Sequence, residues 1–102
     1  MNGFYTASAH SHIGARDDVV VSLEKARARR HLIERAYRLS GRERMILSGL
    51  AQGHATEEIA SGLVLSPHTV RSHVKTAMRK LDARTRAHAV AIALTTGVID
   101  PA

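Results

Sequence analysis

Cysteine and tryptophan are absent from this 102-residue chain, and its only aromatics are Phe4, Tyr5 and Tyr37. Without cysteine there is no disulfide framework, no thiolate zinc site and no thiol nucleophile. With no aromatic beyond Tyr37, single-strand binding by base stacking has no platforms. A large ligand pocket likewise lacks its usual aromatic walls. No stretch approaches the ~18 consecutive apolar residues of a membrane span. The N-terminus also lacks the basic region and apolar run of a secretory signal, so a cytoplasmic protein with no membrane partner is expected. Acids are the scarcer charge, 9 against 15 Lys and Arg, for a formal charge of +6. Such an excess on a small chain favours an anionic partner, nucleic acid ahead of an acidic membrane surface.

Catalytic signatures are missing too. There is no phosphate loop, nucleophile elbow or acidic dyad. The seven histidines, His10, His12, His31, His54, His68, His73 and His88, have no thiol or carboxylate pair to complete a zinc site. His68 and His73 are five apart and fall on different faces of a helix. The expectation is a protein that is not an enzyme and has no metal or cofactor.

The length allows one small domain and an extension, since domains commonly run about 100–200 residues. Residues 1–16, rich in Ser, His, Gly and Ala, read as a mobile tail. Residues 17–39 read as a helical extension without Gly or Pro, with Asp17 or Asp18 as its cap. Val19, Leu23, Ala26, Ile33 and Tyr37 recur at helical spacing, interrupted by Arg30. A weaker stripe runs through Val21, Ala28, Leu32 and Leu39. Two stripes fit docking on the domain and on a partner, or a single helix packed on its own domain.

Residues 40–102 carry dense helix punctuation. Ser40 and Glu43 form a capping box, Ile46, Leu47 and Leu50 give an apolar face, and Gly53 ends the helix. Thr56 is expected to cap a short second helix with Ile59, Ala60 and Leu63 inward. Ser66 and Pro67 start a third, running to Leu81. Thr85 caps a fourth, ending at Gly97. A short helix, a tight turn and a longer basic helix make a helix-turn-helix. At about 100° per residue, Val70, Val74, Ala77, Met78 and Leu81 share one side of the third helix. His68, Arg71, Ser72, Lys75 and Arg79 share the other, with Thr69, His73 and Lys80 flanking. No acid lies between Ser66 and Leu81, whereas a merely solvated face mixes both signs. An α-helix fits the major groove, where Arg and Lys donate to guanine.

These segments resemble the C-terminal DNA-binding domain of the LuxR/GerE family of bacterial transcription regulators. The matching stretches are Leu39-Ser-Gly-Arg-Glu-Arg, Ala51-Gln-Gly, Glu58-Ile-Ala, Leu65-Ser-Pro-His-Thr-Val-Arg-Ser-His-Val-Lys, Lys80-Leu-Asp and Arg86-Ala-His-Ala-Val. They extend over about three-fifths of the chain. Gly41 departs from the proline most frequent there. The resemblance implies an all-α, four-helix helix-turn-helix domain, preceded here by an extra N-terminal helix. It implies base contacts from Arg71, Ser72 and Lys75. Phosphate contacts would come from Thr56, Ser66, His68, Thr69, His73, Arg79 and Lys80. It makes Glu43 an internal acid paired with a base of the domain, and Arg86 structural.

The fourth helix is apolar almost all round, which normally means burial on every side. A homodimer through Ala87, Val90, Ala91 and Leu94 is therefore expected, and the resemblance implies the same contact. The expected function is sequence-specific double-stranded DNA binding by a stand-alone transcription regulator on the bacterial nucleoid, with RNA polymerase or another regulator as further candidate partners. One alternative is a helical interaction module or antagonist that dimerises with a full-length regulator. It has no reason to keep Arg71, Lys75 and Arg79 together. The other is a promoter-binding module like region 4 of sigma factors, which normally ends after its recognition helix and lacks the Arg86-Ala-His-Ala-Val segment.

Overall fold

A computed structural model describes the backbone of residues 11–101 and side chains from Asp17 onward. Five helices and no strands occur among the described residues: α1 Ser11–Ala36, α2 Gly41–Ala51, α3 Thr56–Leu63, α4 Pro67–Leu81 and α5 Arg86–Thr96. The all-α architecture expected from the helix punctuation is the one observed. The chain divides between His31 and Leu32 into two units.

The first unit contributes helix α1 up to His31. The expected tail over residues 1–16 needs correcting at its end, because helix begins at Ser11; residues 1–10 lie outside the described residues. Asp17 and Asp18 are therefore inside the helix and cap nothing. Residues 17–31 are all exposed, with Val19 60%, Val20 53% and Leu23 54% accessible. Neither expected apolar stripe is buried along this part.

The second unit holds the core. Ser40 starts α2 as expected: its hydroxyl accepts from the Glu43 amide at 3.1 Å, and the Glu43 carboxylate accepts from the Ser40 amide at 2.8 Å. This reciprocal cap satisfies two N–H groups that the first turn would otherwise leave unpaired. Gly53 and Gly97 end α2 and α5 with φ of +88° and +81°, a region that side chains disfavour. Thr56 is not the cap of α3. Ala55 takes that position, and its amide donates to Glu58 Oε1 at 2.7 Å. Only the carboxylate half of a capping box is made, because the Ala55 side chain has no oxygen to accept from the Glu58 amide. In α4 the Ser66 hydroxyl caps the Thr69 amide at 3.1 Å, and in α5 Thr85 caps the His88 amide at 3.0 Å.

Two apolar clusters meet around α2 and α4. Ile46, Ile59, Ala60, Val70 and Val74 lock α3 and α4 onto α2. Ala36, Leu39, Leu47, Ala77, Leu81, Ala89, Ile92, Ala93 and Ile99 lock α5 and the end of α1 onto the other side. Leu50 and Met78 touch both clusters, so a displacement on one side is felt on the other. Where α2 crosses α3, a Cβ on Gly49 would lie 3.0 Å from Ile59 Cγ1, so glycine there sets the separation of the two helices.

Candidate nucleic-acid interface

The spacing of α4 decides what it shows to solvent. Val70, Val74, Ala77 and Leu81 are buried, which anchors one side of the helix in both clusters. The other side is then forced outward. His68, Arg71, Ser72, Lys75 and Arg79 are exposed, and Thr69, His73 and Thr76 are half-buried along the edges. The ion pairs among the described residues are His54–Glu58 and Lys80–Glu43, and neither includes Arg71, Lys75 or Arg79. These three side chains offer charged donors on one face of a helix whose opposite face is locked. Rigid mounting of this kind suits a reading surface, because a positioned donor loses little freedom on binding.

The turn between α3 and α4 is tight. Val64 stands at φ +57°, ψ +48°, and the residue is 90% exposed. The Leu65 amide donates to the Ala60 carbonyl at 2.8 Å, which closes the turn. Arg42 Nη1 reaches the Leu63 carbonyl at 3.5 Å from the start of α2. Ser66 Oγ also donates to Thr69 Oγ1 at 2.9 Å. Both expected phosphate contacts thus help shape the start of α4, and the Thr69 hydroxyl proton stays free to donate. Thr56 is the first residue of α3 and half-buried, in a first turn that also holds Glu57 and Glu58.

Lys80 needs the plainest correction. It was expected at a phosphate, but its ammonium donates to Glu43 Oε1 at 2.9 Å and to the Arg38 carbonyl at 3.3 Å. Glu43 is only 4% exposed and is the internal acid that the resemblance implied. Burial pushes its carboxyl up. The Lys80 ammonium, with the amide and hydroxyl of Ser40, outweighs burial and holds the pKa below its ordinary value. Lys80 therefore ties α4 to α2 and to the chain entering α2. A pair separated by 37 residues has no periodic signature, and only the Glu43 half was visible beforehand. The Arg44 guanidinium lies 5.7 Å from the Tyr37 ring centre.

In α5 the expected dimer residues separate into two sets. Val90 and Leu94 are half-buried against the domain's own core, whereas Ala87 and Ala91 are exposed one turn apart. Ala89, Ile92 and Ala93 are fully packed. The helix is apolar all round, but most of it is covered from within, leaving a small face of two alanines. Among the described residues no cluster of His, Asp or Glu has the arrangement of a metal site, and no helix is long and apolar enough to cross a membrane. His10 and the side chain of His12 lie outside the described residues.

The sequence pattern of the luxR family of bacterial regulatory proteins matches residues 37–93, more than half of the chain. The spore germination protein GerE of Bacillus subtilis is 42% identical over 62 residues, which are 61% of this chain and 84% of that protein. The transcriptional activator protein BjaR1 of Bradyrhizobium diazoefficiens is 42% identical over 64 residues, 63% of this chain and 26% of its own length. The quorum sensing-dependent transcriptional regulator RpaR of Rhodopseudomonas palustris is 48% identical over 65 residues, 64% of this chain and 27% of its own. The chain thus spans about a quarter of the two longer regulators. The family match takes in α2, α3, α4 with its exposed basic face and the greater part of α5, and the chain belongs to the luxR family of bacterial regulatory proteins, with the DNA-binding helix-turn-helix domain of a transcription regulator.

Proposed function

We propose that this domain binds double-stranded DNA sequence-specifically as a homodimer, with α4 in the major groove. One observation carries the reading. Arg71, Ser72, Lys75 and Arg79 stand together on the exposed side of α4, with no acid from Ser66 to Leu81. We assign Arg71, Ser72 and Lys75 to base edges, where Arg and Lys pair with guanine and Ser with several bases. Ser66, His68, Thr69, His73 and Arg79 are assigned to phosphates, with Thr56 beside them at the start of α3. Lys80 leaves that set.

The dimer contact is assigned to Ala87 and Ala91, with Val90 and Leu94 behind them supporting the helix. Small side chains allow a partner helix to approach closely. Two α4 helices in successive major grooves would lie about 34 Å apart and read an inverted repeat with centres about 10 base pairs apart. The match to most of GerE's length supports a domain that acts as a regulator in its own right, at the nucleoid in the cytoplasm. The family match runs into α5, as far as residue 93, which favours this reading over a sigma-like module.

Selection of binding sites from random duplexes with the pure protein tests it. The expected result is a two-fold symmetric motif. Arg71→Ala and Lys75→Ala should each lose about 1–3 kcal/mol of preference for that motif while remaining helical by circular dichroism. Recovery of no motif, or an Arg71→Ala protein that binds the best site as tightly as wild type, would overturn the assignment.

A further inference from the structure

We propose that α1 pairs with the α1 of a second copy of this chain, antiparallel, through the side carrying Val19, Leu23 and Ala26. Val19, Val20, Val21 and Leu23 are 60%, 53%, 45% and 54% exposed on a helix whose residues 17–31 are all exposed. Three successive β-branched residues are weak helix formers, and a helix without packing is marginal in water. This segment therefore needs a covering surface.

The charges indicate which surface. Asp17 and Asp18 precede the apolar run, and Lys25, Arg27, Arg29 and Arg30 follow it. At about 100° per residue, Val19, Leu23 and Ala26 fall within about 60° of one another, with Arg30 among them. Asp18 and Arg29 are three turns apart and share one flank of that side. A parallel pair would set Arg30 against Arg30 in the seam and lay the acidic end of each copy beside the acidic end of the other. An antiparallel pair centred between Leu23 and Glu24 sets Asp18 of each copy opposite Arg29 of the other, twice by symmetry. The acidic and basic ends of α1 thus match only in the reversed orientation, and flanking charges of this kind choose orientation in paired helices.

The 102-residue chain has no cysteine, so single engineered cysteines in it report the register without background. Leu23→Cys lies beside the two-fold axis and should cross-link to itself on mild oxidation. Val19→Cys and Arg30→Cys should each fail alone, because each residue lies about 14 Å and about 20 Å along the axis from its own copy. Those separations exceed the ~7 Å that a disulfide tolerates between Cα atoms. Mixing the two should yield the mixed disulfide. By sedimentation, Asp18→Arg should weaken self-association about tenfold, and Asp18→Arg combined with Arg29→Asp should restore it. Self-cross-linking at Val19 and Arg30 would mean a parallel pair and overturn the proposal. Absence of cross-linking at Leu23→Cys would overturn it as well, leaving the basic half of α1 to another partner such as the DNA backbone. None of these readouts involves DNA, so failure here leaves the assignment of α4 standing, and failure of that assignment leaves α1 pairing standing.

Discussion

Lys80→Met separates two roles that one basic side chain on α4 can have. In the structure its ammonium bonds to a carboxylate that is 4% exposed. Removing one partner of a fully buried pair costs about 3–5 kcal/mol, because the remaining charge stays buried without compensation. Here the Lys80 side chain is 33% exposed, and the Glu43 carboxylate keeps the Ser40 amide as a donor. The loss should therefore fall below that range, at about 2 kcal/mol, or roughly 10 °C in the melting temperature of a domain this size. Urea unfolding measures it, with an unchanged m-value showing that the native state is intact. The pH dependence carries a sign. The native Glu43 pKa is lowered, so the pair's contribution is present above the ordinary carboxylate value of about 4.3 and disappears as pH falls through the native value. Wild type and Lys80→Met should converge in stability at acid pH. DNA titrations at several salt concentrations complete the test. A lost phosphate contact would lower the salt slope by about 0.9, whereas a residue facing Glu43 leaves the slope unchanged. A variant as stable as wild type with a reduced slope would refute the pairing argument.

Other perturbations follow from the same packing. Ala91 is exposed, so Ala91→Glu should leave the domain folded, weaken binding to a full inverted repeat about tenfold or more and spare a half-site; equal losses on both would exclude α5 as the contact. Leu94→Glu, by contrast, should lower stability, since Leu94 packs against the domain's own core. Val64→Gly should stabilise by roughly 0.5–1 kcal/mol in urea, since a left-handed side chain costs about 1–2 kcal/mol and glycine returns part of that as unfolded-state entropy. A loss of stability would show that the exposed isopropyl group contributes to the folded turn.

The helices of the domain were legible because their ends carry chemistry. Ser40, Ser66 and Thr85 are hydroxyl caps, and each observed cap bond comes from a residue that can make it. The reading side of α4 was legible for a related reason, since burial of every third or fourth residue forces the basic side chains outward. Thr56 misled because a hydroxyl ahead of two glutamates has the form of a cap, while the chain uses Glu58 to reach back to Ala55. Lys80 misled because its neighbours on α4 are basic and its partner is remote in sequence. In α5, periodicity reported apolar residues all round but could not say which of them the domain covers from within.

The boundary between extension and domain shows both sides of this. The family match begins at residue 37, and the sequence reading set the domain's start at Ser40, yet burial places it earlier. Ala36 is 0% and Leu39 4% exposed, and Leu32 packs on the same cluster. In the weaker apolar stripe, Leu32 and Leu39 are packed while Val21 and Ala28 are exposed, so the stripe holds only from the last turn of α1 into the segment that follows it. The Arg38 carbonyl holds Lys80, and Tyr37 lies under Arg44. Deleting residues 1–31 should therefore leave the midpoint of urea unfolding nearly unchanged. Deleting residues 1–38 removes a buried alanine, a half-buried leucine and the ring under Arg44, and should cost about 2–3 kcal/mol. Equal stability of the two truncated proteins would show that the last turn of α1 is not part of the core. A large loss from the shorter deletion would show that the exposed part of α1 supports the domain after all.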